Sequence, residues 1–456
     1  MALSASAALR IDVTRSLEDG AWSPFQKIVL ALAALAFTVD GLANQVLGLA
    51  LPALIRDWGL ARQAFAPVAA LGLVGVALGT ALGGLLGDRY GRRAGLIGSL
   101  LLFGVMTAVA AGARSLDALL ALRFLAGLGI GGAIPNGAAL IFELTPVRLR
   151  GAAIALSMTF VPVGGVVSGL LGAWVLPRWG WRALFLVSGA LPVLLAIAFV
   201  FVLPESPRFL ARLPRHRAAL LALLRRCGQH IDASSELIAE RARAVHAPLA
   251  ELFGAELLHD TLALWVAFFF CLLASYSLFS WVPTLLMGAG FPLSMTSLGM
   301  TAFNLGGMIG GVAGGWLIAC LGSRAAVLGL AGAASLGAVA LGVLPLDVHA
   351  IRLAMLALLI EGFFIGGLHN GLYTVAAFLY PPFARATGIG AASGTGRIGA
   401  VLSSFTGVLA LQLGGSSGYF WLVAGACALA LVGSALVRRH VPRTLKAQPF
   451  GSDLAR

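Results

Sequence analysis

Three ionisable side chains stand inside long apolar runs of this sequence: Asp40, Glu361 and Arg397. Arg123 and Glu143 lie in a further such run. A helix rises about 1.5 Å per residue, which puts Asp40 roughly 20 Å past Lys27, Arg397 roughly 18 Å past Arg385 and Glu361 roughly 14 Å past Arg352. In a hydrocarbon core about 30 Å thick all three fall near the centre. A charge there costs about 2.5–3.5 kcal/mol even on the mildest scale. Each should therefore face a polar cavity or another of these ions. Asp40 suits a carboxyl that loads a proton on one side and releases it on the other, with Glu361 and Arg123 as further proton-coupling candidates. Arg397 suits a substrate anion, because its fork makes two parallel hydrogen bonds to a carboxylate. A structural ion pair between helices is the alternative role for Asp40, Glu361 and Arg397.

Uncharged polar side chains surround these ions in the sequence. Asn44 and Gln45 share the run of Asp40, and Asn136, Tyr276, Trp281, Asn304, His369, Asn370 and Tyr373 occupy others. With Arg397 they form the candidate substrate-binding set, since aromatic rings near an Arg can sandwich a planar ring while the Arg holds its acid group. For any single one of them, helix packing or interfacial anchoring is the competing role. Cys227, Cys271, Cys320 and Cys427 are scattered without metal-ligand spacing and read as small core hydrophobes. The only lysines, Lys27 and Lys446, do not sit in a GxxxxGK[ST] phosphate loop. No nucleophile–base pair or cofactor loop stands out, so neither an enzyme nor a metal or cofactor is expected. The expected driving force is a proton gradient.

What must position such residues is a membrane bundle. Of 456 residues 59% are apolar and 11% charged, against roughly 25% charged in soluble domains. A spanning helix takes about 20 mainly apolar residues. Twelve such runs start near Ile28, Phe65, Ala94, Leu116, Gly151, Ala183, Thr261, Leu293, Ala325, Leu353, Ala386 and Gly418. The expected fold is an all-α integral membrane protein of twelve transmembrane helices in two pseudo-symmetric six-helix halves, with both termini cytoplasmic. Residues 1–27 read as a cytoplasmic tail without a signal-peptide core, 28–203 as the first bundle and 258–437 as the second. Residues 204–257 read as a cytoplasmic linker with amphipathic helix, carrying Arg225, Arg226, Arg241 and Arg243 near anionic lipid, and 438–456 as a second tail. Arginine orients the bundle. Loops on the side of the termini collect Arg89, Arg92, Arg93, Arg148, Arg150, Arg324 and Arg385 and the arginines of the linker, whereas opposite loops hold only Arg56, Arg62, Arg114, Arg178, Arg182 and Arg352. This is the positive-inside bias. The net charge of +13 is thus a topology signal and not a nucleic-acid footprint.

The two halves repeat one another. At one constant offset Pro52 meets Pro283, Gly59 meets Gly290, Gly91 meets Gly322 and Arg93 meets Arg324. Four residues further, Gly127 meets Gly362, Pro146 meets Pro381, Arg150 meets Arg385 and Gly164 meets Gly399. A parallel repeat of six-helix halves is a plan of secondary transporters, with substrate near the midplane.

Gly84-Leu-Leu-Gly-Asp88-Arg89-Tyr-Gly91-Arg92-Arg93 resembles the signature loop of the major facilitator superfamily. The resemblance implies a gating role for Gly84, Asp88, Arg89, Gly91, Arg92 and Arg93, with the arginines pairing to Glu143 and Asp88 facing a helix N-terminus. The second copy keeps Gly322 and Arg324 but has Ala319 and Cys320 where the acid and base would be, so any latch is expected to be asymmetric. Within the superfamily the chain resembles the bacterial aromatic acid:proton symporters. The carrying residues are Asp40-Gly41 with Pro52, the run from Arg123 to Asn136, Glu143-Leu-Thr-Pro146 with Arg150, and Arg385-Ala-Thr-Gly388 with Gly396-Arg397-Ile-Gly399. Arg150 and Arg385 join the gating set on this basis. Leu203-Pro-Glu-Ser-Pro-Arg208 is shared more widely, including with sugar porters. One departure stands out: the family's span-one pattern reads Asp-Gly-x-Asp, and here Ala43 stands at the second acid.

The expectation is a secondary active transporter importing a benzoate-, hydroxybenzoate- or phenylpropanoate-like anion with protons, acting as a monomer in a bacterial inner membrane. Its partners are the small aromatic acid, protons and the lipid bilayer. A carrier of shikimate or another aliphatic carboxylate, of a sugar, or an exporter of drugs is the alternative, and a transporter-like sensor a further one. The intramembrane Arg397 disfavours neutral solutes and cationic drugs.

Overall fold

A computed structural model describes residues 10–212, 214–229, 236–238, 249–344, 350–381 and 384–443. The described residues include ten helical segments long and apolar enough to cross a membrane. In chain order these are α2 (Pro24–Trp58), α3 (Ala66–Tyr90), α4 (Arg92–Ala110), α5 (Leu116–Leu144), α6 (Val147–Met158) running into α7 (Phe160–Val202), α10 (Leu258–Gly288), α11 (Leu293–Leu321), α12 (Ser323–Val343), α13 (Ile351–Leu379) and α14 (Arg385–Leu436). The short elements between and before them are β1 (Arg10–Asp12), α1 (Val13–Glu18), α8 (Pro207–Ala211), α9 (Arg217–Arg226) and β2 (Glu236–Ile238).

The segments of α7 and α14 are far longer than a bilayer is thick, and each breaks at a glycine. Gly180 has φ 73° and Gly415 has φ 58°, a region that L side chains avoid. These two glycines are repeat mates, as are Gly91 (φ 106°) with Gly322 (φ 84°) and Gly59 (φ 63°) with Gly290 (φ 88°). Six of the seven positive-φ glycines thus pair through the internal repeat, and the seventh, Gly228, closes α9 in the linker.

Glycine also sets the helix contacts. A Cβ on Gly75 or Gly79 of α3 would meet the carbonyls of Phe124 and Leu128 on α5 at 2.3 and 2.2 Å. On α11 the mates Gly306 and Gly310 would meet the carbonyls of Leu359 and Phe363 on α13, both at 1.9 Å. Small residues let helix backbones approach where the lipid offers no hydrophobic drive. The all-helical expectation holds except at one place: β1 and β2 form a two-stranded parallel pair, with Arg10 opposite Glu236. The amphipathic linker helix is α9, whose Leu220, Leu223 and Leu224 are buried together with Val13 and Leu17 of α1. Arg226 stacks on the Phe25 ring at 3.9 Å. Arg241 and Arg243 lie outside the described residues.

By contacts the chain forms two compact units, and they differ from the expected halves. The first holds residues 1–46, 74–168 and 181–244; the second holds 47–73, 169–180 and 245–456. The physical reason lies inside the second unit. Gly48 faces the Phe279 carbonyl and Gly169 faces Thr301 and the Ser297 carbonyl, so the ends of α2 and of the first part of α7 pack on α10 and α11.

Candidate functional site

Arg397 sits at a helix crossing that glycine closes. A Cβ on Gly396 would lie 3.1 Å from the Phe268 carbonyl and one on Gly399 would lie 2.1 Å from that of Phe269. These contacts clamp α14 to α10 on both sides of the arginine. Among the described residues no carboxylate, hydroxyl or carbonyl bonds its guanidinium. Arg397 is close enough to act electrostatically on His369 and Tyr373, both of α13. The Tyr373 ring stands edge-on to Phe268 at 5.0 Å and tilted to His369 at 5.3 Å. Tyr276 of α10 and Ser393 of α14 lie near Tyr373. The result is a partly exposed aromatic wall with an uncompensated cation beside it. Phe268 and Ser393 belong to this group and were not foreseen; Phe268 reads as one more apolar residue in a run of three phenylalanines.

Several polar residues expected with Arg397 are engaged elsewhere in the second unit. Trp281 is wholly buried, with its indole edge against Gly407 of α14. Asn304 donates to the Met300 carbonyl of its own helix at 2.7 Å. Asn370 turns its amide toward Gly311 of α11. The expectation that Glu361 faces a polar cavity or another buried ion is not met within this unit. Its carboxyl points at Gly337 of α12, close to Cys427 of α14, and neither oxygen has a hydrogen-bond partner among the described residues. Helical phase is the reason: α13 turns its 361 position to α12 and α14.

The first unit carries the other acid. Asp40 is 1% exposed and accepts from the Asn44 amide at 3.2 Å, while the same amide bonds the Asp40 carbonyl at 3.0 Å. Gln45 is buried beside them in sequence. Gly41 faces the Val161 carbonyl and Gly164 the Thr38 carbonyl, each with 1.9 Å to a hypothetical Cβ, so α2 and α7 cross tightly at Asp40. The Gly164 contact with Thr38 is the repeat mate of the Gly399 contact with Phe269. Arg123 is 5% exposed, bonds Thr107 of α4 at 3.3 Å and lies over the Phe185 ring at 4.8 Å. Asn136 holds the signature loop: its amide donates to the Gly83 and Gly132 carbonyls at 2.9 and 2.8 Å, and its oxygen lies against Gly87 and Gly95.

The signature loop is paired differently from expectation. Arg92 bonds Asp88 and, at 3.3 Å, the Gly84 carbonyl. Glu143 instead accepts the Ser206 hydroxyl. The reason is Gly91: its positive φ starts α4 at once, setting Arg92 one turn after Asp88. Glu205 accepts from the Arg93 backbone at 3.0 Å, and Arg93 reaches the Val200 carbonyl. Arg150 is bound by Glu18 at 2.9 Å and by the Thr145 carbonyl at 3.1 Å. Arg89 lies over the Tyr90 ring, and Arg385 is exposed in the first turn of α14. Glu205 and Ser206 come from the widely shared Leu203–Arg208 stretch. In the second unit the corresponding helix start is closed by the C-terminal segment: Ser323 N–H donates to the Val441 carbonyl at 2.9 Å, and Val441 N–H to the Ser323 hydroxyl at 2.8 Å.

Comparison with known proteins agrees with this architecture. A family profile described as Major Facilitator Superfamily matches residues 33–404 and again 294–454. The 4-hydroxybenzoate transporter of Pseudomonas aeruginosa is 34% identical over 90% of this chain and 92% of its own length. The gallate transporter of Pseudomonas putida is 32% identical over 96% of this chain and 97% of its own. The 3-(3-hydroxy-phenyl)propionate transporter of Escherichia coli is 30% identical over 85% and 87%. Among solved structures, a bacterial homologue of the human lysosomal transporter Spinster superposes with TM-score 0.69 at 17% identity, covering 92% of this chain and 97% of that one. The inward-open xylose transporter of Escherichia coli gives TM-score 0.68 at 16% identity, covering 91% and 97%.

Proposed function

We propose, for a chain that belongs to the major facilitator superfamily, that it imports a small aromatic carboxylate together with protons by alternating access. The observation that carries this reading is the Arg397 guanidinium, free of any described hydrogen bond or ion pair and set beside the Tyr373 and Phe268 rings. A cation without a counter-ion is costly in a bilayer, and a carboxylate on an aromatic ring supplies both the missing charge and a face for the wall. Relatives that carry gallate, 4-hydroxybenzoate and a hydroxyphenylpropionate support the substrate class. His369 and Tyr276 join the same group, Trp281, Asn304 and Asn370 belong to the helices of that unit, and Asn44, Gln45 and Asn136 complete the proposed substrate-binding set from the first unit.

Asp40 carries the coupled proton, with Asn44 bonding the carboxyl. Arg123 and Glu361 complete the proton-coupling set as buried ionisable groups with uncharged surroundings. Gly180 and Gly415 divide the two longest segments, giving twelve crossings. Both termini lie on the cytoplasmic side, in the bacterial inner membrane. The chain works as a monomer, without cofactor, on the proton gradient. Asp88, Arg92, Glu143, Arg150 and their partners gate that side.

The test is binding to the purified chain and to Arg397→Ala, with benzoate, hydroxybenzoates, phenylpropanoates, shikimate and glucose as ligands. Loss of a bidentate charged pair should weaken aromatic carboxylates by about tenfold or more, from roughly 1.5–3 kcal/mol for hydrogen bonds to charged groups. Benzyl alcohol, which lacks the carboxylate, should be unaffected. Binding of glucose but of no carboxylate would refute the reading.

A further inference from the structure

We propose that Nε2 of His369 receives a ring hydroxyl of the substrate, so that this chain selects hydroxylated aromatic acids over unsubstituted benzoate. The assignment rests on the reading of Arg397 as the carboxylate anchor. Two of the polar functions around the aromatic wall have a use. Ser393 donates to the Gly390 carbonyl at 3.1 Å, and the Arg397 fork is open for an anion. His369 is the exception. Its ring lies one helical turn before Tyr373, 5.3 Å from that ring and tilted 53° to it. Its Nε2 is shut off from solvent and has no hydrogen-bond partner among the described residues.

A polar nitrogen buried without a partner costs about 1–3 kcal/mol. Helix packing alone would be served better by an apolar ring at this position. In this proposal the substrate supplies the partner, from a place beside the Tyr373 ring. A planar acid anchored on Arg397 presents a substituent to that place. A phenolic hydroxyl matches it chemically, since it both donates and accepts, and an imidazole nitrogen does one or the other according to tautomer. Other buried polar atoms of this unit also lack a partner among the described residues, Glu361 and the Trp265 and Trp281 indoles among them, but Glu361 faces Gly337 and it is the His369 ring that packs on Tyr373.

A site that hydrogen-bonds a substrate hydroxyl discriminates strongly against the analogue that lacks it, because the protein group is then left buried and unpaired. The experiment is displacement of labelled benzoate from the reconstituted full chain by benzoate, 3-hydroxybenzoate and 4-hydroxybenzoate. At least one hydroxylated acid should bind about tenfold or more tightly than benzoate. In His369→Phe that preference should fall to within about twofold, since the ring stays and only the nitrogens go. His369→Leu is the second variant, with the same expected outcome, in case the first does not fold. Equal wild-type affinities for the three acids, or a preference that survives in either variant, would overturn the assignment while leaving the Arg397 anchor standing. Failure of the wild type to bind any of the three would remove the anchor itself, and the assignment with it.

Discussion

In the proposed mechanism a carboxyl and a guanidinium decide what this molecule can move. Arg397 has no described counter-ion and Asp40 is buried with an amide on its carboxyl. The division of labour predicted from these two is sharp. Asp40→Asn keeps the shape and the hydrogen-bonding partner Asn44 but cannot take up a proton. It should lose accumulation driven by a pH gradient while retaining substrate counterflow, which needs no net proton movement. Undiminished gradient-driven accumulation by this variant would remove Asp40 from coupling. Both residues were legible in the sequence, because an ion in the middle of an apolar run declares itself. Glu361 was equally legible as a buried ion, yet its surroundings were not: only helical phase, fixed by packing, reveals that it turns toward Gly337 and Cys427. Asn136 illustrates the same limit, since a buried amide reads alike whether it binds a ligand or two backbone carbonyls.

The elements hold these residues at crossings that admit no Cβ. Gly399 is one such case, with 2.1 Å to the Phe269 carbonyl from a hypothetical Cβ, whereas Gly390 on the same helix has nothing within 4 Å. Gly399→Ala should therefore destabilise the protein by about 1–3 kcal/mol through overpacking. Gly390→Ala should be neutral or stabilise by up to about 1 kcal/mol through helix propensity. Thermal unfolding of the detergent-solubilised chain separates the two. The repeat was legible as matched glycines, prolines and arginines, and the positive-φ pairs Gly91–Gly322 and Gly180–Gly415 give the conformational reason for two of them. What closes each helix start was not legible. Glu205 does so for α4, and Val441 with Ser323 does so for α12, through contacts between segments remote in sequence. The second closure carries a pH dependence. His440 bonds Ser323 at 3.1 Å and the Val437 carbonyl at 3.0 Å. Burial, then the nearby Arg324, depress its pKa, against an opposing pull from the Val437 carbonyl and Asp260. The folded state therefore favours neutral His440. Its contribution is present above the ordinary histidine pKa of about 6.5 and is lost as pH falls below it. Hydrogen exchange at the Ser323 and Val441 amides, corrected for intrinsic rates, should be faster at pH 5.5 than at 7.5 in the wild type. His440→Asn should abolish that difference.

At the scale of the whole molecule, charge is scarce, and the proposed mechanism gives the coupling to its few buried members. On the expected topology most of the +13 excess lies on loops and orients the bundle. One monoanion entering with one proton moves no net charge. Such a carrier responds to the pH gradient, worth about 1.4 kcal/mol per tenfold. It ignores membrane potential, which would otherwise add about 2.3 kcal/mol per charge per 100 mV. Ala43, in place of the second acid that the family resemblance implies, fits the proposed single coupled proton. The most direct measurement is uptake of labelled 4-hydroxybenzoate into proteoliposomes under an imposed pH gradient, with the potential clamped at zero or at 100 mV. Accumulation that follows the pH gradient and is unchanged by the potential is the predicted result. Accumulation that follows the potential, or uptake that only equilibrates whatever the pH gradient, would contradict proton-coupled import through Asp40 and Arg397.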